Sequence, residues 1–221
     1  MRIVLSGPPG AGKGTVAEAL AAHDGSHRLS TGDLLRAAVA ADTPLGRKAK
    51  DHMDRGELVP DALILGLVEA RLGEVGRQGF ILDGFPRTVT QAVALEFMLA
   101  RLGLALDLVA DLAVPTEVIT ARLTSRRTCT DPACQTIHNL TYNPPVAGDL
   151  CRVCGAPVAQ RPDETETAIA TRLKVYREQS APVVGHYQRK GLLLIVRESD
   201  SLAAATQILA NVVAQSRLVT Q

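Results

Sequence analysis

Nine residues, Gly7-Pro8-Pro9-Gly10-Ala11-Gly12-Lys13-Gly14-Thr15, constrain this chain more than any other segment. They follow a short apolar run, RIVLS at 2–6, and precede an alanine-rich stretch, VAEALAAH from Val16, that reads as helix. Four residues separate Gly7 from the Gly12-Lys13 pair, the spacing of a phosphate-binding loop. Glycines let backbone N–H groups converge on phosphate oxygens, and the N-terminus of the following helix adds its dipole. Lys13 is placed to reach the phosphates. The loop departs from the common form in one respect: Gly14 follows the lysine, and the hydroxyl comes one residue later, at Thr15. A strand, such a loop and a helix open a βαβ unit. That start points the chain toward an α/β fold built on a parallel sheet.

The remainder supplies the alternating elements. A second strand ends near Leu29, and Ser30, Thr31 and Asp33 are helix N-cap types ahead of LLRAAVA. Residues 45–55 and 61–72 read as helices, the second opened by Pro60 and Asp61. GFILD at 79–83 reads as a strand that ends in the turn GFPRT. A helix at 88–102, a strand near 108–114 and a helix from Pro115 and Thr116 through about Arg126 follow. Residues 125–164 break the pattern. They hold all four cysteines and five of the twelve prolines, with little apolar periodicity, so they read as an inserted small unit. Beyond them, 165–190 is helical up to or through Pro182, LLLIV at 192–196 is a last buried strand, and 201–216 is a closing helix. Five short strands alternating with helices predict a five-stranded parallel sheet covered on both faces.

Two further motifs carry chemistry. Asp83 and Arg87 stand at the end of the GFILD strand, where ligands of parallel sheets bind. A carboxylate there can hold Mg²⁺ through water, and an arginine can touch a phosphate. Cys129-x4-Cys134, sixteen residues, then Cys151-x2-Cys154 offer four thiolates in two knuckles, a set suited to tetrahedral Zn²⁺. Such a closed site leaves no open position, so the metal would be structural. Scattered disulfides in a short secreted chain would use cysteine differently.

Composition excludes several classes. With 46% apolar and 21% charged residues the chain is neither disordered nor fibrous. Its 24 basic and 23 acidic side chains leave a net charge of +1, so no large field draws it to nucleic acid or anionic lipid. Nineteen of the basic residues are arginine, the better bidentate phosphate clamp, although base composition of the genome gives the same bias. The apolar stretch before Gly7 is too short for a signal peptide. No run approaches the roughly 18 apolar residues of a membrane helix. A cytoplasmic protein that touches neither membrane nor nucleic acid is the expectation.

The loop GPPGAGKGT, Ser30-Thr31-Gly32-Asp33 followed by LLRAAV, Asp83-GFPRT and Gln91 together resemble the adenylate kinases, members of the nucleoside monophosphate kinase family. Arg122 with Arg126, then Arg161 and Arg172 eleven residues apart, match as well, and the likeness covers essentially all 221 residues. The Gly14-Thr15 form of the loop is that family's own. The resemblance implies the α/β P-loop fold of these kinases, with a core at 1–29, 60–124 and 165–221. It also implies an AMP-binding helical arm at 30–59 and a lid at 125–164. By resemblance, Gly10, Ala11, Gly12, Lys13, Gly14 and Thr15 meet the ATP phosphates, and Arg122 and Arg126 also meet ATP. Ile137 and His138 fall where two lid residues pack against the ATP base, and Asp200 where a late backbone contact to adenine is made. Thr31, Arg36, Glu57, Leu58, Val59, Gly84, Phe85, Pro86, Arg87 and Gln91 fall to AMP, Gln91 reading the adenine edge. Arg161 and Arg172 close on the phosphates from the lid side. Lys13, Asp83, Arg87, Arg122, Arg126, Arg161 and Arg172 form the implied catalytic set, working on ATP with Mg²⁺. Some bacterial members carry a four-cysteine zinc lid, which supports one structural Zn²⁺ on Cys129, Cys134, Cys151 and Cys154.

The implied reaction is Mg·ATP + AMP ⇌ 2 ADP, a step of adenine nucleotide homeostasis for which a monomer suffices. It demands in-line positioning and neutralised phosphate oxygens, in a site closed to water. Three rivals stay open at this point. A kinase for UMP or CMP, or one with GTP as donor, would differ around Gln91 and residues 57–59, or around Ile137 and His138. A zinc-ribbon nucleic-acid module on a P-loop ATPase core would want a basic lid. Residues 125–164 instead balance four arginines, Arg126, Arg127, Arg152 and Arg161, against four acids, Asp131, Asp149, Asp163 and Glu164. A non-catalytic nucleotide sensor would not need Lys13, Arg87 and Arg126 together.

Overall fold

The computed structural model describes residues 1–197 and 201–218, the side chains of Ser201 and of residues from 213 onward excepted. The chain opens with strand β1 (Arg2–Ser6) and helix α1 (Lys13–Asp24), then β2 (His27–Ser30), α2 (Thr31–Ala40), α3 (Pro44–Asp54) and α4 (Asp61–Val75). Next come β3 (Phe80–Asp83), α5 (Val89–Arg101), β4 (Leu108–Leu112) and α6 (Thr116–Thr124). Three short strands follow, β5 (Arg126–Cys129), β6 (Ile137–Asn139) and β7 (Val158–Ala159). Helices α7 (Glu166–Val175) and α8 (Ala181–Arg189), strand β8 (Leu193–Val196) and helix α9 (Ser201–Leu218) complete it.

The five long-range strands form one parallel sheet in the order β2-β3-β1-β4-β8. β1 lies at its centre, and its side chains alternate between two separate apolar clusters. Val4 joins Leu82 and Val109 against Val68 of α4, Leu95 of α5 and Tyr187 of α8. Ile3 and Leu5 face the other way with Ile81 and Leu108, against Val16 and Leu20 of α1 and Ala204 and Ile208 of α9. A strand covered on both faces has no solvent side to keep polar, which is why RIVLS and FILD read as continuous apolar runs. Because all five strands run the same way, Ser6, Ser30, Asp83 and Leu112 end at one edge of the sheet. That edge is where the site forms.

One expectation is corrected and two are refined. The helix expected to run to about Arg126 ends at Thr124, because Arg126 pairs with Asn139 and opens β5. Residues 125–164, expected as an inserted small unit, contain an antiparallel sheet in the order β6-β5-β7. The helix expected from 165 to 190 is three pieces, with a π-helical turn at Tyr176–Ser180 between α7 and α8. Pro182 lacks the N–H that a continuous α-helix needs there. No helix among the described residues is long and apolar enough to cross a membrane. Asp200 lies outside the described residues.

Candidate active site

The loop between β1 and α1 curls because three of its glycines, Gly7, Gly10 and Gly12, take positive φ values that other residues rarely adopt. Gly7 has φ +131°, and a Cβ there would sit 2.8 Å from the Leu112 carbonyl oxygen of β4. Gly12, with φ +93°, caps α1. The Lys13 ammonium donates to the carbonyls of Gly7 and Pro8, each at 2.8 Å, and braces the curl from inside. Burial lowers the Lys13 pKa to about 8, against the opposing pull of Asp83. Gly14 lies close to two of the site's side chains: a Cβ there would be 3.2 Å from Arg28 Nη2 and 3.7 Å from Asp83 Oδ2, a crowding that a small shift of the long Arg28 side chain relieves.

At the end of β3, Asp83 lies 3.4 Å from Arg28 Nη2, and Arg28 also pairs with Asp33 at 2.8 Å. The following turn, with a cis Phe85–Pro86 peptide, brings Arg87 Nε to donate to Gly84 O at 2.8 Å. Burial holds the Arg87 pKa below the usual arginine value. Thr88 caps α5 by accepting from Gln91 N–H at 3.1 Å. Ser30 caps α2 by accepting from Asp33 N–H, which sets Thr31 and Arg36 on the side facing Arg87. Thr31 Oγ1 donates to Gly84 O at 2.9 Å.

Two neighbouring cavities occupy this edge. The larger, of about 540 Å³, is lined by Gly10, Gly12 to Thr15, Asp83, Pro86, Arg122, Arg126, Ile137, His138 and Arg161. The smaller, of about 80 Å³, is lined by Thr31, Leu35, Glu57, Val59, Ile64 and Gln91. Leu58, Gly84, Arg36, Arg87 and Arg172 line both. Three arginines are therefore shared by two cavities of unequal volume. Burial lowers the pKa of both Arg161 and Arg172 to about 10, so each remains a cation at neutral pH.

Two expected site residues lie away from the cavity walls. Ala11 is buried in the apolar cluster behind the loop, and Phe85 in the cluster on the opposite face. His138 is only 1% exposed, and its Nε2 lies 3.4 Å from Cys151 Sγ. Sequence reasoning passed over four contributors. Glu164, fully buried, pairs with Arg126, and Asp163 pairs with Arg172 at 2.7 Å. Arg28 holds Asp83. Asp61 accepts from Gln91 Nε2 at 2.6 Å. Only the acidity of Asp163 and Glu164 was visible in the chain; their partners are set by the fold.

The four cysteine sulfurs lie within 4.8 Å of one another. The Cys129–Cys154 and Cys134–Cys151 separations are 3.4 and 3.7 Å. A tetrahedral ion with metal–sulfur bonds of about 2.3 Å spaces its ligands by about 3.8 Å, so the set fits Zn²⁺ and not a disulfide. The long first knuckle closes because Asp131 Oδ1 accepts from Ala133 N–H and its carbonyl accepts from Cys134 and Gln135 N–H. The hydrogen bond with His138 lowers the Cys151 pKa to about 5, while burial raises that of Cys129.

A family model described as adenylate kinase matches residues 5–192. Curated relatives of the same name agree. The protein from Acidothermus cellulolyticus is 46% identical over 98% of each chain. That from Thermodesulfovibrio yellowstonii is 49% identical over 91% of this chain and 94% of its own. That from Methanosarcina acetivorans is 46% identical over 88% of this chain and 89% of its own.

Proposed function

Since the chain belongs to the adenylate kinase family, we propose that its two cavities hold the two nucleotides of one reversible transfer, ATP + AMP ⇌ 2 ADP. The observation that carries this reading is the shared wall. Arg36, Arg87 and Arg172 line both cavities, where a phosphoryl group passing between nucleotides spreads charge over its oxygens. Such transfer needs little covalent help from protein, but it needs in-line positioning and fixed positive charge. The larger cavity takes ATP, its phosphates on the Gly10–Thr15 loop and on Lys13, Arg122 and Arg126. The smaller takes AMP, with Gln91 at the base and Thr31, Arg36 and Arg87 toward the phosphate.

Residues 1–29, 60–124 and 165–221 serve as core, 30–59 as AMP arm and 125–164 as lid. Closure of arm and lid keeps water from accepting the phosphoryl group. The Asp83 carboxylate, 3.4 Å from Arg28 Nη2, would hold the Mg²⁺ bound with ATP through water, and that ion would supply neutralising charge to the phosphate oxygens. Zn²⁺ on the four cysteines holds the lid's shape and takes no part in the transfer. The protein acts as a cytoplasmic monomer on small nucleotides and not on nucleic acid.

A coupled assay with a panel of monophosphates and two donors, ATP and GTP, tests this reading. AMP with ATP is the expected pair. In the same panel Gln91→Leu should weaken AMP use by about 10²-fold or more while the KM for ATP changes little. A site built to hydrogen-bond one base edge fails when its buried polar group is lost. Equal loss for both substrates would remove Gln91 from base reading, and preference for UMP or CMP would overturn the acceptor assignment.

Lys13 gives the reading a pH signature. Its pKa is lowered to about 8, so the free enzyme holds the ammonium charged below that pH and neutral above it. Bound phosphate favours the charged form and raises the pKa in the complex. ATP affinity should therefore be flat from pH 7 to 8 and then fall by up to roughly tenfold per pH unit, with one proton taken up on binding. The phosphate's own second proton leaves near pH 6 and does not intrude. Calorimetry in two buffers of different ionisation enthalpy reads the uptake. No proton uptake at pH 9 would take Lys13 off the phosphates.

A further inference from the structure

Gln91 is 2% exposed and forms part of the wall of the smaller cavity. Both ends of its amide are already held. Oε1 accepts from the Arg87 backbone N–H at 2.7 Å, and Nε2 donates to Asp61 Oδ1 at 2.6 Å. Neither partner can exchange roles, because a backbone N–H only donates and a carboxylate only accepts. A free carboxamide that turns over by half a revolution presents donor and acceptor in either order. It would then accept a 6-aminopurine and a 6-oxopurine almost equally.

We propose that Asp61 is a specificity-determining residue of the acceptor site. By holding Gln91 Nε2, it locks the amide in the orientation that fits a 6-aminopurine monophosphate and rejects the 6-oxo base. The inventory of the amide supports this. After Asp61, Nε2 keeps one proton, which suits the acceptor N1 of a 6-aminopurine. After Arg87, Oε1 keeps one lone pair, which suits the exocyclic amino group. A 6-oxopurine would set its carbonyl against Oε1 and its N1–H against an N–H, leaving both pairs unmade in a buried place. Asp61 is not part of the cavity wall, so it is a positioning residue that acts through Gln91. As the first residue of α4 it also meets the positive end of that helix, a structural role that the test must separate. The proposal rests on the reading that Gln91 meets the acceptor base.

The test uses the full chain with AMP and IMP, which differ only at the purine 6-position and N1. kcat/KM is measured for each with saturating ATP, and IMP is also run as a competitive inhibitor against AMP. Asp61→Asn keeps the side chain's shape but can donate, so Gln91 can turn. The turned amide still faces the Arg87 N–H wrongly, so discrimination falls without vanishing. The AMP-to-IMP ratio should drop about tenfold, the worth of one buried hydrogen bond, with the KM for ATP unchanged. Loss of the helix-end charge alone lowers the melting temperature and leaves the ratio in place. Asp61→Ser, a good helix-start residue that also donates and accepts, should lower the ratio too and serves if Asp61→Asn folds poorly. A ratio within twofold of wild type in a folded variant overturns the proposal. If Gln91→Leu also keeps its AMP use, the underlying reading of the site fails; if Gln91→Leu loses it, only the lock fails.

Discussion

Arg87→Ala is expected to lower kcat by about 10²-fold or more, on the scale of removing one preorganised charge from a phosphoryl-transfer site. The side chain is anchored by the bond from Nε to Gly84 O, and it belongs to neither of the sheet's apolar clusters. Its loss therefore opens no core cavity. Its backbone N–H, which holds Gln91 Oε1, survives the substitution, so base selection should persist while turnover collapses. Paired measurement of kcat and of the thermal melt separates the two effects. Near-normal turnover in a folded variant would remove Arg87 from the mechanism.

The second large effect belongs to the proposed zinc site. The buried cluster of the 125–164 segment is Cys129, Cys151 and Val158, with Cys134 and Ala156 packed against it. The proposed ligands are thus nearly all the core this segment has. Structural zinc is worth about 10–16 kcal/mol in small peptides near neutral pH, spent largely on folding them. Chelation, or Cys129→Ser or Cys154→Ser, should melt the lid first and at markedly lower temperature. The parallel sheet, with two apolar clusters of its own, should stay folded. Turnover at moderate temperature should fall less than stability, since closure draws on arginines that do not touch the sulfurs. Metal analysis of the purified protein should find about one equivalent. Less than a tenth of an equivalent, with melting unmoved by a chelator, would sink the assignment, because a bound metal must register by mass action.

What the chain revealed in advance follows the range of the interactions involved. The loop, its flanking strand and helix, the Asp83 turn and the two cysteine knuckles were legible because each is written in a few contiguous residues. The sheet was legible because doubly covered strands lose their polar alternation. Strands β5 to β7 were not, since two to four residues each show no period. Arg126 was assigned to a helix because its local sequence permits one, and only its pairing with Asn139 decides otherwise. The π-turn at Tyr176–Ser180 announced itself only through Pro182. Asp61 read as the opening of a helix, and so it is. Its grip on Gln91, thirty residues away, comes from packing α4 beside α5.

The pairing of Arg126 with Glu164 and of Arg172 with Asp163 changes what a nucleotide must do on arrival. These two cations already carry counterions, and both carboxylates sit in the single 3₁₀ turn Pro162–Glu164. Engagement is an exchange and not a simple attraction. A small monoanion brings no more charge than the carboxylate it would displace, and the carboxylate has the advantage of being tethered beside its partner. Chloride or acetate should leave the pairs intact at ordinary concentrations. A polyphosphate offers several charges at once and can replace both carboxylates together. The turn acts as a counterion built into the chain, and its release would set a valence threshold for closure of the proposed lid.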